Sequence, residues 1–193
     1  MTTPTPRQTR RNRVVLLAIF ALFFGSLLIA GVLRFSGWHP AGTKAHGELL
    51  QPPGDLRAVV PRLARGGDYH WNPAARTWRI ALAPPGDCTD ACVQLARQLD
   101  TVWQLMGQDA DRVQVLWIGE PAKGMVRDSA LRVLQSSAAL RAGLPRVDPA
   151  RGENPRGVPV YVIDPNGFVI LRYAPGFDPS GLRADLAKLL KLM

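Results

Sequence analysis

The 193-residue chain has only two cysteines and three histidines. Two cysteines are too few for a disulfide-dense scaffold, and with three scattered histidines they do not supply the four-ligand set of a structural zinc module. No Walker-type phosphate loop occurs, no G-x-G-x-x-G joins a strand to a helix, and no G-x-S-x-G elbow is present. Nucleotide binding through those loops and serine-hydrolase chemistry are therefore not expected. Acidic residues are missing from the start of the chain: residues 1–34 have five arginines and no acid. Beyond them stand 19 basic against 15 acidic residues, so more than half of the formal net charge of +9 lies in the first 34 positions. The remainder has no Lys/Arg run and no basic stripe interleaved with aromatics, and no nucleic-acid partner is expected.

What is present begins with a hydrophobic run. Residues 14–33 contain no charge. At ~1.5 Å per helical residue the run is about 30 Å long, the thickness of a bilayer's hydrocarbon core. Arg7, Arg10, Arg11 and Arg13 precede it and Arg34 alone follows closely. That asymmetry predicts a cytoplasmic N-terminus and an exported remainder. The run is longer than the roughly 7–15 residues of a signal-peptide core, and Thr43-Lys44-Ala45 is a poor cleavage site. The reading is an uncleaved signal anchor in a bacterial inner membrane, with Trp38 near the outer interface. It divides the chain into a basic cytoplasmic N-terminus (1–13), a transmembrane anchor (14–35), a periplasmic tether and lead-in (36–61) and a folded domain (62–193).

The exported part becomes regular from Arg76. Trp78, Ile80 and Leu82 alternate with Arg79 and Ala81, the period of a strand. Pro84-Pro85-Gly86 ends it, and Asp87 is placed to cap a helix over residues 88–106. Cys88, Cys92, Leu95, Leu99, Val102 and Met106 recur on that helix as one apolar stripe. Residues 113–118 read as a buried strand, 125–140 as a helix, and 158–163 with 168–173 as strands around the turn Asp164-Pro165-Asn166-Gly167. An amphipathic helix closes the chain over 179–192. In the lead-in, Pro52 and Pro53 stop any helix and leave a strand or loop. The order predicts an α/β sandwich with parallel pairing first and a hairpin last.

Cys88-Thr89-Asp90-Ala91-Cys92 is the one constellation with evident chemistry. Cysteines four apart on a helix share a face, about 5–6 Å between Cβ atoms. The spacing leaves open a disulfide, a shared soft metal ion, or two small apolar residues on a core stripe. A helix N-terminus favours a thiolate at Cys88, whereas Asp87 and Asp90 oppose it. His39, His46 and His70 are expected in linker or loop, solvated or hydrogen-bonded; His70 lies in Asp68-Tyr69-His70-Trp71, which is placed to pack beside the fold.

A strand, a cysteine pair opening a helix, and then Gly157-Val158-Pro159 before a hairpin and a final helix together resemble the thioredoxin superfamily. The three-residue spacing between the cysteines and the segment Tyr161-Val162-Ile163-Asp164-Pro165-Asn166-Gly167 resemble the Sco (SenC-type) copper-assembly family, which is also tethered by one N-terminal helix. The resemblance covers residues 76–193. It implies a thioredoxin-like α/β domain behind a single transmembrane helix, with a cis proline at Pro159 lying against Cys88 and Cys92. It implies Cu(I) held by Cys88 and Cys92, or exchange of electrons through them with a thiol electron donor and a client, Cys88 attacking and Cys92 resolving. The client it implies is a subunit of a respiratory copper oxidase, cytochrome c oxidase. The family completes its copper site with a histidine shortly before the late hairpin; here Asn154-Pro155-Arg156-Gly157-Val158-Pro159 has none. The alternatives are a docking module with a structural disulfide and a general periplasmic thiol–disulfide oxidoreductase.

Overall fold

The structure is a computed structural model describing residues 6–36, 45–88, 90–122, 124–125, 130–148 and 157–192. Trp38, His39 and residues 154–156 lie outside the described residues. The chain forms two compact units, residues 1–42 and 43–193. The first is helix α1 (Pro6–Phe35), which is long and apolar enough over Arg10–Phe35 to cross a membrane. Its apolar side chains are exposed all round and no polar face interrupts them. A helix without a polar face suits lipid on every side.

The second unit is one six-stranded sheet in the order β1-β6-β5-β2-β3-β4. Its elements are β1 (Glu48–Asp55), β2 (Trp78–Leu82), α2 (Asp90–Gln104), β3 (Val113–Ile118), β4 (Leu131–Leu134), α3 (Ala138–Ala142), β5 (Val160–Ile163), β6 (Phe168–Tyr173) and α4 (Pro179–Leu190). β2, β3 and β4 run parallel, while β5, β6 and β1 join antiparallel. Every residue of β2 is buried because both sheet faces are covered. Trp78, Ile80 and Leu82 face a core completed by Cys92, Leu99 and Val102 of α2 and by Leu182, Leu186 and Leu190 of α4. On the other face Ala81, Leu116 and Tyr161 pack beneath Leu56, Leu140 and Leu144. Arg79, 2% exposed, also enters that face. It donates to the Tyr69 hydroxyl at 2.9 Å and the Asp164 carbonyl at 3.0 Å, and it lies 5.3 Å from the Trp71 ring. A buried guanidinium needs such partners, and the Tyr69–Trp71 segment packs beside the fold as expected.

Both edges are blunted. β1 carries Pro52 and Pro53, a cis Gln51–Pro52 bond and a break in register between Leu49 and Gly54. Beyond β4, the Ala64 N–H donates to Val133 O and the Gln135 N–H to Arg62 O, so residues 62–64 cover that side. Unpaired edges invite pairing with other chains, and prolines, bulges and covering loops suppress it.

The expected helix over 125–140 is not formed. Its described part is strand β4 followed by the short α3. Leu131, Leu134 and Ala138 match a helical period, but β3 offers β4 a ladder from Val115–Leu131 to Ile118–Leu134. Ser137 then starts α3, its side chain accepting the Leu140 N–H. The helix expected from residue 88 is described from Asp90; the Cys88 N–H is used in a turn to Pro85 O, and Asp87 lies exposed in that turn.

Candidate functional site

The strand–turn–helix passage from β2 into α2 positions the cysteines. Pro84 and Pro85 cannot continue the sheet ladder; the chain turns at Gly86 and Asp87, and α2 starts at Asp90, whose carboxylate suits a helix N-terminus. Cys88 lies in the turn and Cys92 inside the first turn of α2. They form a disulfide, with Cα atoms 5.8 Å apart. Of the readings the spacing left open, the structure shows this one. The two sulfurs differ in environment: Cys92 is fully buried among Leu99, Val160 and other core residues, whereas Cys88 is half-buried.

A groove of about 240 Å3 lies along α2; Ala91, between the two cysteines, lines it, and the cysteines themselves do not. Ala91, Gln94, Leu95 and Gln98 form one wall, Gly157 and Val158 from the lead into β5 another, and Gly176 with Phe177 from the β6–α4 turn close it. Pro159 is the buried residue that follows Val158 at the head of β5. The Val158–Pro159 bond is trans, whereas the thioredoxin resemblance implies cis. The isomers of an X–Pro bond differ by only about 0.5–1 kcal/mol, so the local path into the strand decides between them. Pro159 is buried between Val158, which lines the groove, and the first residue of β5.

The two histidines among the described residues, His46 and His70, are not gathered at the disulfide. His70 is exposed. His46 is fixed elsewhere, at a carboxylate that sequence reasoning did not single out: Asp185 of α4, 3% exposed. Asp185 accepts the backbone N–H groups of His46 at 2.6 Å and Gly47 at 3.0 Å, and the Tyr173 hydroxyl at 2.8 Å. Its other oxygen meets His46 Nδ1 at 3.1 Å and Lys188 Nζ at 3.3 Å. Burial alone pushes the Asp185 carboxyl up, but the donors from Gly47, His46 and Tyr173 outweigh it and hold it at about 2. Burial, and then the Asp185 hydrogen bond, push the Tyr173 phenol up. Two glycines make this seat possible: a Cβ on Gly47 would stand 2.6 Å from the Tyr173 ring, and one on Gly181 2.8 Å from His46 Cβ. Asp185 clamps the lead-in to α4 and β6. Among the described residues no three His, Cys, Asp or Glu side chains converge as a metal site.

With this geometry in view, residues 78–193 match the family described as "Transmembrane-like, thioredoxin-like, C-terminal domain". The chain belongs to that family. The match spans β2 through α4 and so contains the disulfide, the groove and Pro159. Among solved structures, a SCO1/SenC family lipoprotein from Bacillus anthracis superposes with a TM-score of 0.52 and 16% identity, over 73% of this chain and 99% of that one. BsSco, described as a member of the Sco family of cytochrome c oxidase assembly proteins and as having a disulfide switch, gives 0.50 and 11%, over 76% and 95%. Yeast Sco1 with copper bound gives 0.50 and 14%, over 78% and 95%. At these identities the likeness is one of fold. No curated protein sequence matches the chain. The fold is thus thioredoxin-like α/β, its structural neighbours are Sco proteins, and the chain adds one N-terminal apolar helix fit for a membrane anchor.

Proposed function

We propose that this protein is a single-pass protein of a bacterial inner membrane, N-terminus cytoplasmic, whose periplasmic thioredoxin-like domain exchanges electrons through Cys88 and Cys92 during assembly of a respiratory copper enzyme. The observation that carries the reading is the asymmetric disulfide at the passage from β2 into α2: one sulfur half-buried, the other fully buried. In the reducing direction, a thiol donor's thiolate attacks Cys88 Sγ and the S–S bond breaks. Cys92 leaves as a thiolate and takes a proton. A second donor thiol releases Cys88, so the donor is oxidised to a disulfide and this pair is reduced to two thiols. With a client disulfide the steps reverse: Cys88 attacks, and Cys92 resolves the mixed disulfide. Val158 and Phe177 give the incoming segment an apolar bed, and Pro159 follows Val158 into β5.

Copper enters as cargo rather than as a resident cofactor. The reduced pair offers two soft sulfurs, which suits Cu(I), and yeast Sco1 carries copper on the same fold. No third ligating side chain converges with the pair among the described residues, and no histidine follows His70 in the sequence. Two-thiolate binding is the copper mode these residues support, and electron exchange, which needs no third group, is the leading mechanism. The client we favour is the copper subunit of cytochrome c oxidase.

An anaerobic Cu(I) titration of the reduced full chain in nonionic micelles, beside a Cys88→Ser/Cys92→Ser variant, separates the two mechanisms. One cysteine-dependent equivalent is the two-thiolate binding that delivery requires; its absence would leave electron exchange as the mechanism. Deleting the gene is expected to lower oxidase copper content and activity, and an unchanged oxidase would refute the assembly role.

A further inference from the structure

The chain has four asparagines, and one of them, Asn166, is followed by glycine. A backbone nitrogen can attack the carboxamide of the asparagine before it, most readily when it belongs to glycine and no Cβ crowds the approach. Asn72 and Asn154 precede prolines, whose nitrogen has no hydrogen to lose, and Asn12 precedes the bulky Arg13. Asn166-Gly167 is therefore the step of this sequence most prone to deamidation. Asn166 is exposed at the tip of the β5–β6 turn, open to water and hydroxide.

The fold fastens both reacting groups to one carboxylate. The Gly167 N–H donates to Asp164 Oδ1 at 2.8 Å and to the Asp164 carbonyl at 3.2 Å. The Asn166 carboxamide donates through Nδ2 to Asp164 Oδ2 at 3.0 Å. The next peptide unit is pinned as well, since the Gly167 carbonyl accepts the Leu56 N–H at 3.0 Å. Asp164 is itself anchored from the buried side, where Arg79 Nη1 donates to its carbonyl at 3.0 Å.

We propose that Asn166 is a latent deamidation site that Asp164 keeps closed. In the open reaction the Gly167 N–H loses its proton and the nitrogen attacks Asn166 Cγ. The N–Cγ bond forms, the Cγ–Nδ2 bond breaks, and ammonia leaves. Water then opens the succinimide to aspartate or isoaspartate, so one water is consumed for each ammonia released. Asp164 opposes this twice. Its Oδ1 stabilises the intact Gly167 N–H and repels the anion left when the proton goes. Its Oδ2 restrains the carboxamide, and rotation of that group toward the Gly167 nitrogen breaks the bond. Isoaspartate would lengthen the backbone in a turn whose glycine is wedged against Trp71, so the blocked reaction is one that loosens the hairpin. None of this involves the cysteine pair.

The test follows the tryptic fragment 157–172 of the full chain, held in nonionic micelles at neutral pH. Asn166 is the one side-chain amide in that fragment, so its mass reports the conversion directly. The folded wild type is expected to convert at least ~10-fold more slowly than the same chain unfolded in urea, because a charge-assisted hydrogen bond is given up first. Asp164→Ser and Asp164→Asn keep a side-chain oxygen for the turn and drop the charge. Pro165 follows, so the second variant adds no reactive step. Both are expected to convert several-fold faster than the wild type while tryptophan fluorescence shows the fold intact. Amide hydrogen exchange at Gly167 passes through the same anion, and it is expected to be slow in the wild type. A folded wild type that converts as fast as the urea sample would overturn the proposal, as would a wild-type rate in either folded variant. Unprotected exchange at Gly167 would overturn it whether or not the variants fold.

Discussion

Asp185 shows how much one residue holds. It lies on α4 between Leu182 and Leu186, both fully buried, and it receives the backbone of His46 and Gly47 across 139 and 138 positions of sequence. Without its carboxylate, two backbone N–H groups and the Tyr173 hydroxyl lose their acceptor. Asp185→Ala is expected to cost about 3 kcal/mol in chemical denaturation followed by tryptophan fluorescence. The same carboxylate makes stability acid-sensitive. Its pKa is depressed from 3.8 in the unfolded chain to about 2 in the fold. The contribution is therefore fully present above about pH 5 and is lost as pH falls through about 2, roughly 2 kcal/mol in all. Denaturation midpoints that do not fall between pH 5 and 2.5, or that fall equally in the Asp185→Ala chain, would contradict this. Sequence gave no sign of the clamp: an acid within an apolar helical stripe carries no mark of a partner at the far end of the domain. The cysteine pair was legible for the opposite reason, since its spacing is local.

Elements were readable where period and flanking turns agreed. β2, β3, β6 and α4 fall close to their expected positions because alternation or a leucine stripe ran between prolines, glycines or a capping acid; Asp178 caps α4 through the Ser180 N–H. The β5–β6 hairpin was announced by Asp164-Pro165-Asn166-Gly167. Asp164 Oδ1 accepts the N–H groups of Asn166, Gly167 and Phe168, which closes the turn. Gly167 adopts φ +104°, and a Cβ there would stand 3.1 Å from the Trp71 ring. Gly167→Ala should therefore lower stability by about 1–3 kcal/mol, because the backbone angle and the indole both resist a side chain. A neutral result in chemical denaturation would show that the turn relaxes freely. β4 was misread because a four-residue strand has too few residues to show its period, and its ladder to β3 outweighed the helical spacing of its leucines. β1 pairs with β6 although Pro52 and Pro53 mask that pairing in the sequence.

At the scale of the whole molecule, the scarcities that open the sequence have distinct outcomes. The first 34 residues, with five arginines and no acid, hold an apolar helix fit for a membrane and supply five of the nine net positive charges. The two cysteines are joined in a disulfide at the mouth of a thioredoxin-like sheet. The fold class was legible because the family match, residues 78–193, holds the elements with the clearest periods. The lead-in before it was less so, since β1 and the Asp185 clamp depend on pairing across the full domain. The function proposed for this chain requires that the Cys88–Cys92 bond open and close under physiological conditions. Equilibrating the full chain with glutathione buffers of graded ratio, then counting alkylated thiols by mass spectrometry, measures this directly. The account predicts reversible two-electron reduction at about −180 to −270 mV, within reach of cellular thiol donors. A potential below about −300 mV would make the bond a fixed structural brace and contradict the account.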